Sequence, residues 1–299
     1  MKRIIAAAAL AALYCINAGA QDQRQDFSKV EIQTTNLGHG IYMLEGIPEG
    51  NGGNVTVATT SDGVIMVDSQ YAPLSAKVKA AIAKISPNPA VRDVIDTHVH
   101  GDHTGGNVNF AKDGAVIVAH ENVRKGLAAP GRNGQPGQPA AALPAITFVD
   151  GIDIHLGDNT AVVRHVAPAH TDGDSYVYFP AENVLATGDI FGSFRFPAGG
   201  VTIDGVIAST DRLLGMVNDD TQIVPGHGPL ARKVDLVAYR EMLQAARDRV
   251  GKLIAEGRSE DDVIRAKPMA DYQAKRGGDD MRTDGFVRFV FRSLKQKSG

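Results

Sequence analysis

Residues 97–107 read Thr97-His98-Val99-His100-Gly101-Asp102-His103-Thr104-Gly105-Gly106-Asn107. Four ligand-type side chains fall within six positions, directly after Val91–Asp96, a short apolar run with the character of a strand. His98 and His100 are two apart, so on extended backbone they share a face. Gly101 turns the chain, and Asp102 and His103 beyond the turn can face a second ion. Imidazoles and a carboxylate suit zinc.

Two metals need more than four ligands, and the rest of the chain offers them. His170 sits in Ala167-Pro168-Ala169-His170-Thr171, Asp189 in Ala186-Thr187-Gly188-Asp189, and His227 in Val224-Pro225-Gly226-His227-Gly228. Each follows an apolar run, at the point where a strand gives way to a loop and where α/β sheets carry their sites. His165 competes with His170, but it lies on the strand, whereas His170 follows Pro168 and is free to point into a site. Seven ligands give two metals three or four protein contacts each if one carboxylate bridges. The position left open for water marks a catalytic zinc site.

The pattern H-x-H-x-D-H, followed by single His, Asp and His in this order, resembles the metallo-β-lactamase superfamily from Gly38 to Leu230. The resemblance implies an α/β fold, a four-layer αβ/βα sandwich with the site at one edge. It places His98, His100 and His170 on the first metal and Asp102, His103 and His227 on the second, with Asp189 bridging. The expected cofactors are two zinc ions, with iron or manganese as alternatives. One departure is informative: the best-known zinc β-lactamases have a cysteine where this chain has Asp189, the residue typical of glyoxalase II, lactonases and the wider hydrolase branch. The implied chemistry is attack by a metal-bound hydroxide on a small lactam, lactone, ester or thioester. Asp102 and Asp189 are the expected catalytic carboxylates, with Asp102 orienting the hydroxide. Lactamases of the family often place a lysine three residues after their cysteine. Here that position is Gly192, and the nearest cation is Arg195, expected to grip a substrate carboxylate.

The chain has 299 residues, and its start reads as an export signal. Lys2 and Arg3 are basic, Ile4 to Leu13 are apolar, and Ala18-Gly19-Ala20 suits cleavage after Ala20. A buried N-terminal helix would not explain that three-part pattern. The apolar run is too short to span a membrane, and bulky Tyr14 disfavours a lipid anchor on Cys15. The expected location is therefore periplasmic or secreted. Of 31 Lys+Arg, two leave with the signal, so 29 remain against 34 Asp+Glu and nothing favours nucleic acid as a partner. Cys15 is the only cysteine, so residues 21–299 form no disulfide and offer no thiolate ligand. They read as one domain, with a loose lead-in at 21–29 and helices over about 230–299. The four prolines and four glycines of 124–144 read as a long surface loop, either a lid or an insertion. No motif encodes an oligomeric state.

The remaining histidines have plainer uses. His39 suits a turn between glycines, His155 and His165 packed strand positions, and His120 a helix cap. Asp68, ending a strand, is expected to hold a ligand histidine from behind. The alternatives to a dinuclear hydrolase are a non-hydrolytic metal-binding or redox-accessory protein of the same fold, or a mono-iron persulfide dioxygenase-like oxidoreductase. The second would leave His170 or His227 surplus. A flavodiiron oxidoreductase would need a flavodoxin domain for which there is no room. RNA-processing relatives act on a polyanion, which the acidic balance disfavours.

Overall fold

The computed structural model describes residues 26–48, 50–131, 135–166, 168–192, 196–197, 199–276 and 279–296. The predicted signal sequence and Arg195 lie outside these residues. Seven strands form a first sheet in sequence order: β1 (Glu31–Gly38), β2 (Ile41–Ile47), β3 (Val55–Thr60), β4 (Gly63–Val67), β5 (Val91–Asp96), β6 (Val116–His120) and β7 (Ile146–Phe148). Neighbours are antiparallel up to β4 and parallel from β4 to β7. A second sheet contains β8 (Gly151–Leu156), β9 (Asn159–His165), β10 (Ser175–Phe179), β11 (Val184–Ala186) and β12 (Gln222–Val224), in the order β12-β11-β10-β9-β8.

Successive side chains point to opposite faces of a strand, and here both faces are apolar. Ile65, Ile95, Val163, Val177 and Val184 pack between the two sheets. Met66 and Val94, one residue away, pack outward under Val78 and Ile82 of α1 (Ser75–Ile85). On the other side Tyr176, Leu185 and Ile223 lie under α5 (Ile203–Leu214), α6 (Lys233–Ala255) and α9 (Asp280–Gln296). The layers therefore run helix, sheet, sheet, helix, which is the expected αβ/βα sandwich. Between α5 and α6, Arg240 and Arg247 pair with Asp211 and Asp204. Among the described residues no helix is long and apolar enough to cross a membrane.

Two local readings change. The 124–144 stretch is not all loop, because α4 (Glu121–Ala128) occupies its start. Val123 and Leu127, four apart, bury one face of α4 beside Ala119, and the first proline comes only at Pro130. Phe27–Lys29, placed in the loose lead-in, is a 3-10 turn with Phe27 buried and its carbonyl oxygens held by Lys77 Nζ. Beyond α6 the C-terminal stretch holds α7 (Glu260–Arg265), α8 (Ala270–Arg276) and α9, which begins at Asp280.

Register sets up the site. Val67 pairs with Ile95, which brings Asp68 beside Thr97. Ala186 pairs with Val224, which brings the turn carrying Asp189 beside the loop carrying His227.

Candidate metal centre

His98 and His100 leave the end of β5, and α2 (Gly101–Thr104) begins at once, presenting Asp102 and His103 on its single turn, with α3 (Asn107–Ala111) next in the chain. His170 comes from the β9–β10 loop, Asp189 from the 3-10 turn after β11, and His227 from the loop after β12. The structure brings all seven together in two groups. His98, His100, His170 and Asp189 each offer a ligand atom within 4.8 Å of the others, as do Asp102, His103 and His227.

Hydrogen bonds behind the rings decide which nitrogen faces inward. The Thr97 hydroxyl donates to Asp68 Oδ2 (2.9 Å), so its oxygen is left to accept from His98 Nδ1 (3.1 Å). His103 Nδ1 meets the same Asp68 oxygen at 2.7 Å, and His227 Nδ1 meets the Gly52 carbonyl at 3.0 Å. All three therefore turn Nε2 to the centre. His100 turns Nδ1 inward, 3.1 Å from His98 Nε2 and 2.9 Å from His170 Nε2. Bare ring nitrogens converging this closely repel unless a proton or a cation lies among them. The donor set and its inward lone pairs fit metal ions.

Asp189 divides itself between the groups. Its Oδ2 lies 3.2 Å from His170 Nε2 and 4.0 Å from His98 Nε2, while its Oδ1 lies 3.4 Å from His227 Nε2 and 3.6 Å from His103 Nε2. Asp189 Oδ1 is buried without a hydrogen bond among the described residues, a costly state that a cation relieves. Burial alone would raise this carboxyl, but the rings of His227 and His170 hold it well below the usual range. Burial, with His170 beside it, lowers His100 to about 4, and His98 falls well below its ordinary value through burial and His103. Burial opposes a charge on His103 too, yet Asp68, Asp102 and Asp189 push it up to about 10.

Residues 48–229 match the metallo-beta-lactamase superfamily. This chain belongs to that superfamily. Among relatives of this metallo-beta-lactamase-fold protein is the 2,4-dinitroanisole O-demethylase subunit alpha of Nocardioides sp. (strain JS1661), 33% identical over 58% of this chain and 52% of that protein. The match thus spans about half of that relative's length. The metallo-beta-lactamase type 2 of Bacillus cereus is 25% identical over 69% of this chain and 77% of its own. A solved metallo-beta-lactamase from Pontibacter korlensis superposes with a TM-score of 0.61 at 19% identity, covering 72% of this chain and 99% of that one, which shows the shared fold.

The other sequence-derived residues take the following places. Asp68 lies behind His103. His165 ends β9 and faces Asp174 O at 2.9 Å, outside both groups. His120 caps α4, its Nδ1 accepting from the Asn122 N–H. His39 occupies the β1–β2 turn in the left-handed region, and His155 lies on β8 against Thr160. Phe191 and Phe196, either side of Arg195 in the sequence, are core residues, packed against Tyr239 and Phe286 respectively.

Sequence reasoning missed the supports. Asp174 accepts from the N–H groups of His170 (2.6 Å) and Thr171 (2.9 Å), fixing the loop that carries His170. Asn54 Nδ2 donates to Pro225 O and Gly228 O, on either side of His227. Asn107 Nδ2 donates to Asp96 Oδ2 (2.8 Å) behind the motif. The run Asp172-Gly173-Asp174 after Thr171 was the available signal for the first, since a short carboxylate there reaches back to local amides.

Proposed function

We propose that this chain is an exported hydrolase holding two zinc ions, acting on a small lactam, lactone, ester or thioester. The observation that carries the reading is Asp189, whose two oxygens face two separate groups of ligand atoms. His98, His100 and His170 would hold one ion, Asp102, His103 and His227 the other, with Asp189 between them. When bound, such ions lower the pKa of water towards ~7 and polarise a carbonyl oxygen.

The protein's own groups supply orientation and proton handling. The side chains of His227 and Asp102 are 25% and 22% exposed, against 1% and 0% for His98 and His103, so substrate reaches the centre from the His227 side. Asp102 Oδ2, 3.4 Å from His227 Nε2, is on that open side. There it orients the attacking water and accepts its proton. Asp68 and Gly52 keep the rings of His103 and His227 from turning while this happens.

A second substrate class is favoured by the 33% identity to the dinitroanisole O-demethylase subunit. Water attack on an electron-poor aryl methyl ether, giving a phenol and methanol, uses the same activated nucleophile without a carbonyl. One panel tests both: a chromogenic lactam, a lactone, a thioester and a nitro-substituted anisole, with zinc content measured on the same preparation. About two zinc ions per chain, with hydrolysis of at least one compound lost in Asp189→Ala, is the expected result. One tightly held iron unaffected by Asp189→Ala would sink the dinuclear reading. Export is tested separately, by N-terminal sequencing of the mature protein, expected to begin at Gln21.

A further inference from the structure

Two histidines beside the metal centre take no part in it. His120 ends β6 in the first sheet and His165 ends β9 in the second, so they meet at the edge where the ligands gather. Their rings lie face to face, with centroids 3.9 Å apart and planes 13° from parallel. Their backbone partners fix the protons. The Asn122 N–H donates to His120 Nδ1 (3.2 Å), so that nitrogen is bare. His165 Nδ1 faces the Asp174 carbonyl oxygen, which can only accept, so that nitrogen carries its proton.

Asp174 is the hub of the loop between β9 and β10. Its carbonyl receives His165, and its carboxylate receives the amides of His170 and Thr171 and the Thr171 hydroxyl. The start of α4 closes the other side. Asn122 Nδ2 donates to Asp172 O at 2.9 Å, and any Cβ at Gly173 would run into Val123. His170 therefore stands on a short loop gripped at its base by His165 and from above by α4, with His120 joining the two grips.

We propose that His165, seated on His120, is a positioning residue: its Nδ1–H sets the Asp174 backbone and thereby aims His170 at the His98–His100–His170 metal group. The inference rests on the reading of that group as a metal site. Removing its donor should act on that group as loss of a hydrogen-bond partner behind a ligand does, at roughly 10- to 100-fold in affinity.

The test is calorimetric titration of zinc, against a competing chelator, into the metal-free full chain. His165→Phe keeps a flat ring to stack on His120 but has no donor. His165→Asn keeps an N–H near the position of Nδ1 but has no ring. The first zinc equivalent should weaken about 10- to 100-fold in the Phe variant and return to within about threefold of wild type in the Asn variant. Thermal unfolding of the metal-free variants separates folding from aiming, since a packing role alone would lower the melting temperature and leave zinc affinity unchanged. Unchanged affinity in His165→Phe, or equal losses in both variants, would overturn the proposal while leaving the metal centre intact. A wild-type chain that binds no zinc would instead remove the functional reading, and this inference with it.

Discussion

Asp68 Oδ2 lies 2.7 Å from His103 Nδ1, and both side chains are buried. The same carboxylate takes the N–H of Thr97 at 2.7 Å, although Asp68 itself sits in the left-handed region at φ 62°. A strained backbone of this kind costs about 1–3 kcal/mol and persists where its surroundings hold it. Three hydrogen bonds hold it here, and they lock the rings of His98 and His103 together. Asp68→Ala is therefore expected to lower zinc affinity about 10- to 100-fold. Zinc content after dialysis against a mild chelator checks this, and full retention of two ions by the variant would contradict it.

Proton competition should differ between the two groups. With His103 raised to about 10 in the metal-free chain, zinc at the Asp102–His103–His227 group must expel a proton at neutral pH. Affinity there should fall about tenfold per pH unit as pH drops below about 10, and more steeply once His227, whose pKa Asp189 also raises against its burial, takes up a proton. His98, held well below its ordinary value, and His100, at about 4, are already bare at neutral pH, so those two rings of the other group release no proton there. In the metal-free chain a raised histidine pKa stabilises the fold fully below about 6.5, and that stabilisation is lost as pH rises through about 10. Calorimetry in two buffers of different ionisation enthalpy counts the protons released. Equal release at both binding steps would refute the assignment.

The legible part of this molecule is the part that repeats a local rule. Val91–Asp96 and Val184–Ala186 are short strands, and the loops carrying His98 and Asp189 follow directly from them. The motif's own spacing indicated two groups, and the resemblance to the family implied that Asp189 bridges them. What could not be read depends on contacts far apart in sequence. Asn54 reaches the loop of His227 only because β3 begins where β12 ends, at the same edge. The partnership of His120 with His165 joins two sheets, which no local spacing announces. α4 was hidden by the prolines and glycines that follow it, although Val123 and Leu127 carry its apolar face.

Gly226 precedes His227 where the backbone passes against Asp189. A Cβ added there would collide with Asp189 Oδ1 and lie 3.0 Å from the Gly188 carbonyl carbon and oxygen. The carboxylate oxygen is the side-chain end among these contacts, so it is the atom expected to leave its place between the two groups. Gly226→Ala should lose most hydrolytic activity and at least one zinc, while the helices and the core between the sheets stay intact. Circular dichroism beside metal analysis checks this, and normal zinc content with normal activity would show that the loop yields.

Substrate preference is the least local property of the site, and the chain offers one test of it. The position where family lactamases often carry a lysine is Gly192, whose added Cβ would lie 3.2 Å from Asp189 Cγ and 3.3 Å from Asp189 Oδ1. A side chain there would crowd the bridging carboxylate, so a carboxylate-gripping cation has to come from elsewhere. Arg195 is the nearest cation in sequence, and it is proposed to do the anchoring. A hydrogen bond to a charged group contributes about 1.5–3 kcal/mol. Arg195→Ala should accordingly cost roughly ten- to hundredfold in kcat/KM on a carboxylate-bearing lactam and little on a neutral lactone. Wild-type lactam turnover is expected to be measurable but slow, because Gly192 offers no charge where family lactamases often carry a lysine. Parallel kinetics on the two substrates decide the matter: equal losses on both, or none on either, would leave Arg195 without a substrate role.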